Sequence, residues 1–310
     1  MKIIFMGTPD FAVPSLDKLV ESCHQVSAVV TVPDNPRGRG RKLLPSPVKK
    51  RALELDLPIL QPMNLKDPEF LRTIRDYQPD ILVVVAFRIL PRELYAIPPY
   101  GAVNAHASLL PKFRGAAPIH RAILQGETET GITTFQIEDK VDTGGVLLQK
   151  RIPIHPQDTT GTLYNRLKML AAECLLETLD GLESHGFRPI PQDNSKATPA
   201  PKIHPEEAIL DFTRPGRMLI NTIRAFAPVP GARFFLRGTL IKIFKARFEP
   251  VPDTRPGTLE KTGKQAFAIH CGDGLIFPEE IQPEGKRAMT VADFLNGWDI
   301  TSYRTVDGTQ

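Results

Sequence analysis

Cysteine is scarce in this chain: three occur in 310 residues, at Cys23, Cys174 and Cys271. An odd number, scattered without metal-ligand spacing, argues against a disulfide framework and against a metal site, and leaves three core thiols. Long apolar runs are missing as well. The opening run Ile3-Ile4-Phe5-Met6 stops at Gly7, far too short for a signal-peptide core or a membrane span, so a cytoplasmic protein without a membrane partner is expected. The turn Gly7-Thr8-Pro9-Asp10 lacks GxGxxG spacing, which disfavours a dinucleotide site. There is no internal repeat and no low-complexity tract.

Acidic residues are absent from two stretches. Residues 35–51 carry seven cations (Arg37, Arg39, Arg41, Lys42, Lys49, Lys50, Arg51), and residues 214–247 carry eight, although net charge is only +4. Such patches suit a polyanionic partner. Hydrophobic residues at 41% and charged residues at 24% are ordinary globular proportions. A chain of 310 residues exceeds the usual reach of one core, so two domains are expected.

Strand-like runs at Ile3–Met6, Val26–Val32 and Ile81–Ala86 alternate with helical patterns at Phe11–Ser22 and Val48–Leu55. That alternation predicts an α/β domain with a mostly parallel sheet covered on both faces. Thr159 to about Leu182 reads as a long helix with Asp158 or Thr159 as N-cap. Pro189, Pro191, Pro199, Pro201 and Pro205 then mark an extended segment. The boundaries are set at 1–188 for the first domain, 189–206 for a linker and 207–310 for the second. After a helix near Pro215–Ala225, strand-like runs at Ala232–Leu236, Leu240–Phe244, Gln265–His270 and Leu275–Phe277 predict a small β-barrel.

In an open α/β sheet, ligands bind beyond the carboxyl ends of the strands. One such end reads Asn104-Ala-His106-Ala-Ser108-Leu109-Leu110-Pro111-Lys-Phe-Arg114-Gly115-Ala-Ala-Pro118-Ile119, with Asp142-Thr-Gly144-Gly145 downstream. Asn104 and His106, two apart in an extended chain, project to the same side. A carboxylate, an imidazole and an amide can converge there on one acyl centre. Taken singly, such an Asn reads as a turn residue and such a His as a satisfied core group. Ser108 lacks a glycine elbow and reads as a cap or packing residue rather than a nucleophile, while Arg114 is either a loop brace or a substrate contact.

The whole stretch resembles the signature of the folate-dependent formyltransferases. That resemblance implies a Rossmann-like catalytic domain, N10-formyltetrahydrofolate as formyl donor, no metal, and catalysis by Asn104, His106 and Asp142. Asn104 and His106 would donate to the oxyanion formed when an amine attacks the formyl carbon, and Asp142 would orient the imidazole and take up the surplus proton. The donor is expected to lie along Phe87, Arg88, Ile89 and Leu90, along Ser108, Leu109, Leu110 and Pro111, and beside Asp139. Two departures stand out: many relatives have an aromatic-Gly pair at Phe87-Arg88, and a second Asp at Gly145.

Further matches at Met6–Phe11, Gly38-Arg39-Gly40, Leu44–Val48, Gly161–Tyr164, Ile223–Phe226, Gly272–Gly274 and Gly285-Lys286 resemble the branch of the family with an added OB-like domain. Its acceptor is initiator methionyl-tRNA. On that reading Arg39, supported by Arg37, Arg41 and Lys42, contacts the tRNA, and the chain acts as a monomer. A sugar amine or other small amine as acceptor, and a non-catalytic RNA-binding protein on the same scaffold, are the competing readings.

Overall fold

Apart from a short Asn-Pro-Arg segment at 35–37, the strands of the first half arise where β-branched and aliphatic residues run together. They are β1 (Lys2–Gly7), β2 (Gln25–Val30), β3 (Asn35–Arg37), β4 (Lys42–Leu44), β5 (Ile59–Leu60), β6 (Ile81–Val85), β7 (Ala102–His106), β8 (Glu129–Gln136) and β9 (Val146–Pro153). In this computed structural model, which describes residues 1–37, 42–300 and 304–307, seven of them form one sheet in the order β5-β2-β1-β6-β7-β8-β9. The pairings from β5 to β7 are parallel, and β8 and β9 add antiparallel. Every residue of β6 is buried, as expected for a central strand covered on both faces.

Helices α1 (Val13–Val20), α2 (Pro47–Glu54), α3 (Pro68–Asp76), α4 (Arg92–Tyr95), α5 (Pro118–Leu124) and α6 (Thr160–Glu183) fall between or after these strands. Local sequence sets their starts. Ser46 accepts the backbone N–H of Lys49 at the start of α2, and Asp67 accepts that of Glu69 at the start of α3, each followed by proline at the first helical position. Thr159 caps α6, its hydroxyl accepting from the Thr162 N–H at 3.3 Å. The amphipathic α3 buries Phe70, Leu71 and Ile74, in a core shared with Ile4, Met6, Val30, Leu82 and Leu94.

The chain divides into two compact units, one of residues 1–118, 129–153 and 164–201, the other of 119–128, 154–163 and 202–310. The second unit holds α7 (Gly216–Phe226), β10 (Ala232–Leu236), β11 (Thr239–Pro250), β12 (Leu259–Lys261), β13 (Phe267–Cys271), β14 (Gly274–Pro283), β15 (Met289–Thr290) and α8 (Val291–Gly297). Its antiparallel sheet runs β10-β11-β14-β13-β12, with β15 on β14. Register shifts between Ile243 and Ala246 bend β11, the local twist by which long strands curl into small barrel-like domains. Phe212, Phe226, Phe267 and Phe294 fill its core.

The strands β11 and β14 run well past the short segments read from sequence, because their pairing continues through charged residues such as Lys245, Arg247, Glu279 and Glu280 that end the apolar runs. One cysteine departs from expectation. Cys174 and Cys271 are buried, but Cys23 is exposed, since the turn between α1 and β2 is tied down by its neighbour His24 instead. His24 is buried, meets Asp180 at 3.1 Å, and lies with Cys23 and Glu183 in a group whose ligand atoms fall within 4.8 Å of one another. The Met1 ammonium sits among them, 2.9 Å from Glu183 and 3.2 Å from His24.

Candidate active site

Strand order reverses between β1 and β6, so the crevice at their carboxyl ends is the topological switch point. Neighbouring β7 brings Asn104 and His106 to the same edge, Asn104 in register with Val84. His106 is buried, whereas Asn104 is half-buried. Among the described residues the Asn104 side-chain amide has no hydrogen-bond partner and is not sealed from solvent. A free amide at a strand end is a donor available to a ligand.

His106 is held by a hydrogen bond at one ring nitrogen and faces a carboxylate at the other. Its Nε2 lies 2.8 Å from the Phe113 carbonyl, which can only accept, so that nitrogen carries a proton. Its Nδ1 faces Asp142 Oδ2 at 3.6 Å. Two acceptors facing each other repel, so the pair is attractive when a proton sits on one of them. The same Asp142 oxygen accepts the Gly115 N–H at 2.8 Å, and Asp142 itself adopts φ +55°. Sequence reasoning placed Asn104, His106 and Asp142 together, and the geometry brings His106 and Asp142 into direct opposition beside Asn104's strand end.

The residues expected around the donor separate into two groups. Leu90 is buried in the first core, and Phe87 packs against it; Ile89 is 74% exposed. Arg88 turns away to brace a neighbouring loop, donating to the carbonyls of Pro62 at 2.8 Å and Met63 at 3.0 Å. Asp139 is exposed and accepts from the Tyr95 hydroxyl at 2.5 Å. Ser108 is buried and donates to the Lys112 carbonyl at 2.7 Å, a turn-bracing bond.

The Ser108–Pro111 loop is fastened from β8 and β9. Thr133 donates to the Ser108 carbonyl at 2.7 Å and accepts from the Leu110 N–H at 3.0 Å, while Gln149 donates to the Leu110 carbonyl at 2.6 Å. Of the basic loop, Arg37 and Lys42 are register partners in the β3–β4 backbone pairing, and Arg39 and Arg41 lie outside the described residues.

Residues 1–179 match the family described as Formyl transferase, and residues 202–299 match Formyl transferase, C-terminal domain. The chain belongs to the formyl transferase family. It is 45% identical, over 97% of both chains, to a protein named methionyl-tRNA formyltransferase from Moorella thermoacetica. Among solved structures it resembles an N-formyltransferase from Helicobacter canadensis, with TM-score 0.68, 21% identity, and coverage of 90% of this chain and 98% of that one. It also resembles HypX from Aquifex aeolicus, with TM-score 0.65 and 19% identity over 98% of this chain. The chain spans about half the length of HypX (50%). At these identities the structural likenesses speak for the formyl transferase fold alone.

Two features of this formyl transferase site escaped the sequence. Residues 189–201, which read as an extended proline-rich segment, run back along the first unit: Ile190 pairs with Val146 through two backbone bonds of 2.8 Å, and Arg114 pairs with Thr198 and Ala200 at 2.9 and 2.6 Å. Proline's lack of an N–H marked where helix stops but not where the strap lies. Gly145 follows from the same strap. A Cβ there would fall 2.6 Å from Pro189 Cβ, so the space of a second acid is taken. Arg114 proves to be a brace, donating to Gln192 at 3.1 and 2.7 Å and to Asn194 at 2.8 Å.

Proposed function

We propose that the chain transfers the formyl group of N10-formyltetrahydrofolate to the α-amino group of initiator methionyl-tRNA. The observation that carries this reading is the 45% identity to a methionyl-tRNA formyltransferase over 97% of both chains, second domain included. The N-formyltransferase from Helicobacter canadensis was solved with folinic acid and HypX with tetrahydrofolic acid, which supports a folate as donor.

In this reading the methionyl nitrogen attacks the formyl carbon, a new C–N bond forms, the bond from that carbon to folate N10 breaks, and the proton lost by the amine balances the one gained at N10. Asn104, whose amide is free, donates to the oxyanion of the tetrahedral centre. His106 already spends its Nε2 proton on the Phe113 carbonyl, so its main part is with Asp142: together they take the ammonium proton, directly or through water. Arg37, Arg39, Arg41 and Lys42 supply phosphate contacts to the tRNA, a salt-dependent attraction.

The test is formyl transfer from radiolabelled formyltetrahydrofolate to methionyl-tRNA, with free methionine and a nucleotide-linked amino sugar as competing acceptors. Formylation of methionyl-tRNA alone supports the assignment; preferential formylation of the sugar amine, or no transfer at all, overturns it.

A further inference from the structure

Gln192 sits in the strap with its side-chain amide fully engaged. Nε2 donates to the carbonyls of Asp142 at 2.9 Å and Gly144 at 2.8 Å. Oε1 accepts from Arg114 Nε at 3.1 Å and Nη2 at 2.7 Å. Arginine has donors only, so Oε1 must face it and both N–H groups must face the carbonyls; no flipped amide satisfies all four bonds.

What this amide holds is a conformation the backbone resists. Asp142 lies at φ +55°, in the left-handed region that is unfavourable for a non-glycine residue and that persists where surroundings over-determine it. The turn's own bonds, from the Thr143 hydroxyl at 3.0 Å and amide at 3.4 Å to the Lys140 carbonyl, close it across Asp142 from within. Gln192 fastens the same turn from outside, at the carbonyls of Asp142 and Gly144. The same strap fixes His106's partner, because Thr198 Oγ1 accepts the Phe113 N–H at 2.9 Å and the Phe113 carbonyl receives the His106 proton.

We infer that Gln192 is a positioning residue for formyl transfer: it locks the Asp142 turn to the Arg114 turn and keeps the Asp142 carboxylate aimed at His106 and at the Gly115 amide. This rests on the reading of Asp142 and His106 as the proton-handling pair. Gln192 touches neither substrate; it acts through Asp142.

Two substitutions separate its parts. Gln192→Met keeps length and loses all four bonds, whereas Gln192→Glu keeps the Arg114 pairing but sets a carboxylate against two carbonyls. In single-turnover and steady-state assays, both are expected to lower kcat by on the order of 10- to 100-fold, the usual cost of a small misplacement in a site. KM for donor and tRNA should stay within about threefold, since Gln192 makes no substrate contact. In an Asp142→Asn background, Gln192→Met is expected to add no further loss, because its only route to the chemistry is already cut.

Wild-type-like kcat in folded Gln192→Met overturns the proposal, as does a full multiplicative loss in the double variant. If Gln192→Met fails to fold, as judged by its thermal transition, Gln192→Glu decides by the same criteria. Asp142→Asn alone guards the premise: if it turns over like wild type, the reading of the site fails, a result distinct from failure of Gln192.

Discussion

Replacing Asn104 by alanine separates catalysis from stability. The amide has no partner among the described residues and lies half-buried at the end of β7, so truncation orphans no buried group. The stability change should therefore stay within about 0.5 kcal/mol, as for substitutions away from buried networks, which for a chain of this size moves the thermal midpoint by roughly 1–2 °C. The rate tells a different story. Loss of one oxyanion donor costs about 10²–10³ in turnover, equivalent to about 2.7–4 kcal/mol of transition-state stabilisation. Rapid-quench measurement of formyl transfer under saturating donor and tRNA reads that number directly, and filter binding of the tRNA should be unchanged. Asn104→Asp, which swaps the donor for a negative charge at nearly constant shape, is expected to be slower still. Turnover of Asn104→Ala within about threefold of wild type, in a protein of unchanged midpoint, would refute Asn104 as oxyanion donor.

Gly115→Ala is expected to destabilise the protein by about 1–3 kcal/mol, because Gly115 sits at φ +127° and an added Cβ would lie 2.6 Å from the Ala200 carbonyl oxygen; an unchanged urea midpoint would count against it. Gly145→Asp should cost about 1–3 kcal/mol through overpacking on Pro189 and bring no rate gain; a faster or more stable variant would contradict this. His120, in the second unit, has its pKa held below the usual imidazole value, chiefly by burial, with the Arg121 charge adding to it. Its neutral form is favoured by folding, so the stability it contributes is present above the unfolded value of about 6.5 and is lost as pH falls through the lower folded value. Denaturation at pH 7.5 and 5.5 should show this loss, and His120→Gln should flatten it; an equal slope in both proteins would argue against His120 as the source.

Much of this molecule was legible because neighbouring residues carry the information. Ile81–Val85 reads as a central strand from its unbroken aliphatic run, and it is one. The Asn104–Ile119 stretch stood out as a candidate site because Asn104 and His106 lie on one strand, as they do in β7. What was hidden depends on separation. Gln192 is 50 residues from Asp142 and 78 from Arg114, and nothing in a proline-rich stretch tells which polar side chain will find two distant turns. The Arg88 side chain was illegible for a related reason: Pro62 and Met63 supply carbonyls that only the folded loop brings near. Leu90 is buried in the first core, which the sequence could not show, since an apolar residue at a strand end looks the same as packing or as lining.

The return of residues 189–201 along the first sheet unit also sets an order of events at the ribosome. The sheet through β9 can pair once residue 153 has emerged, yet the turns bearing Asp142 and Arg114 stay unfastened until the Gln192 amide and the Thr198–Ala200 backbone are threaded out. A nascent chain can therefore form this sheet before those two turns are fastened.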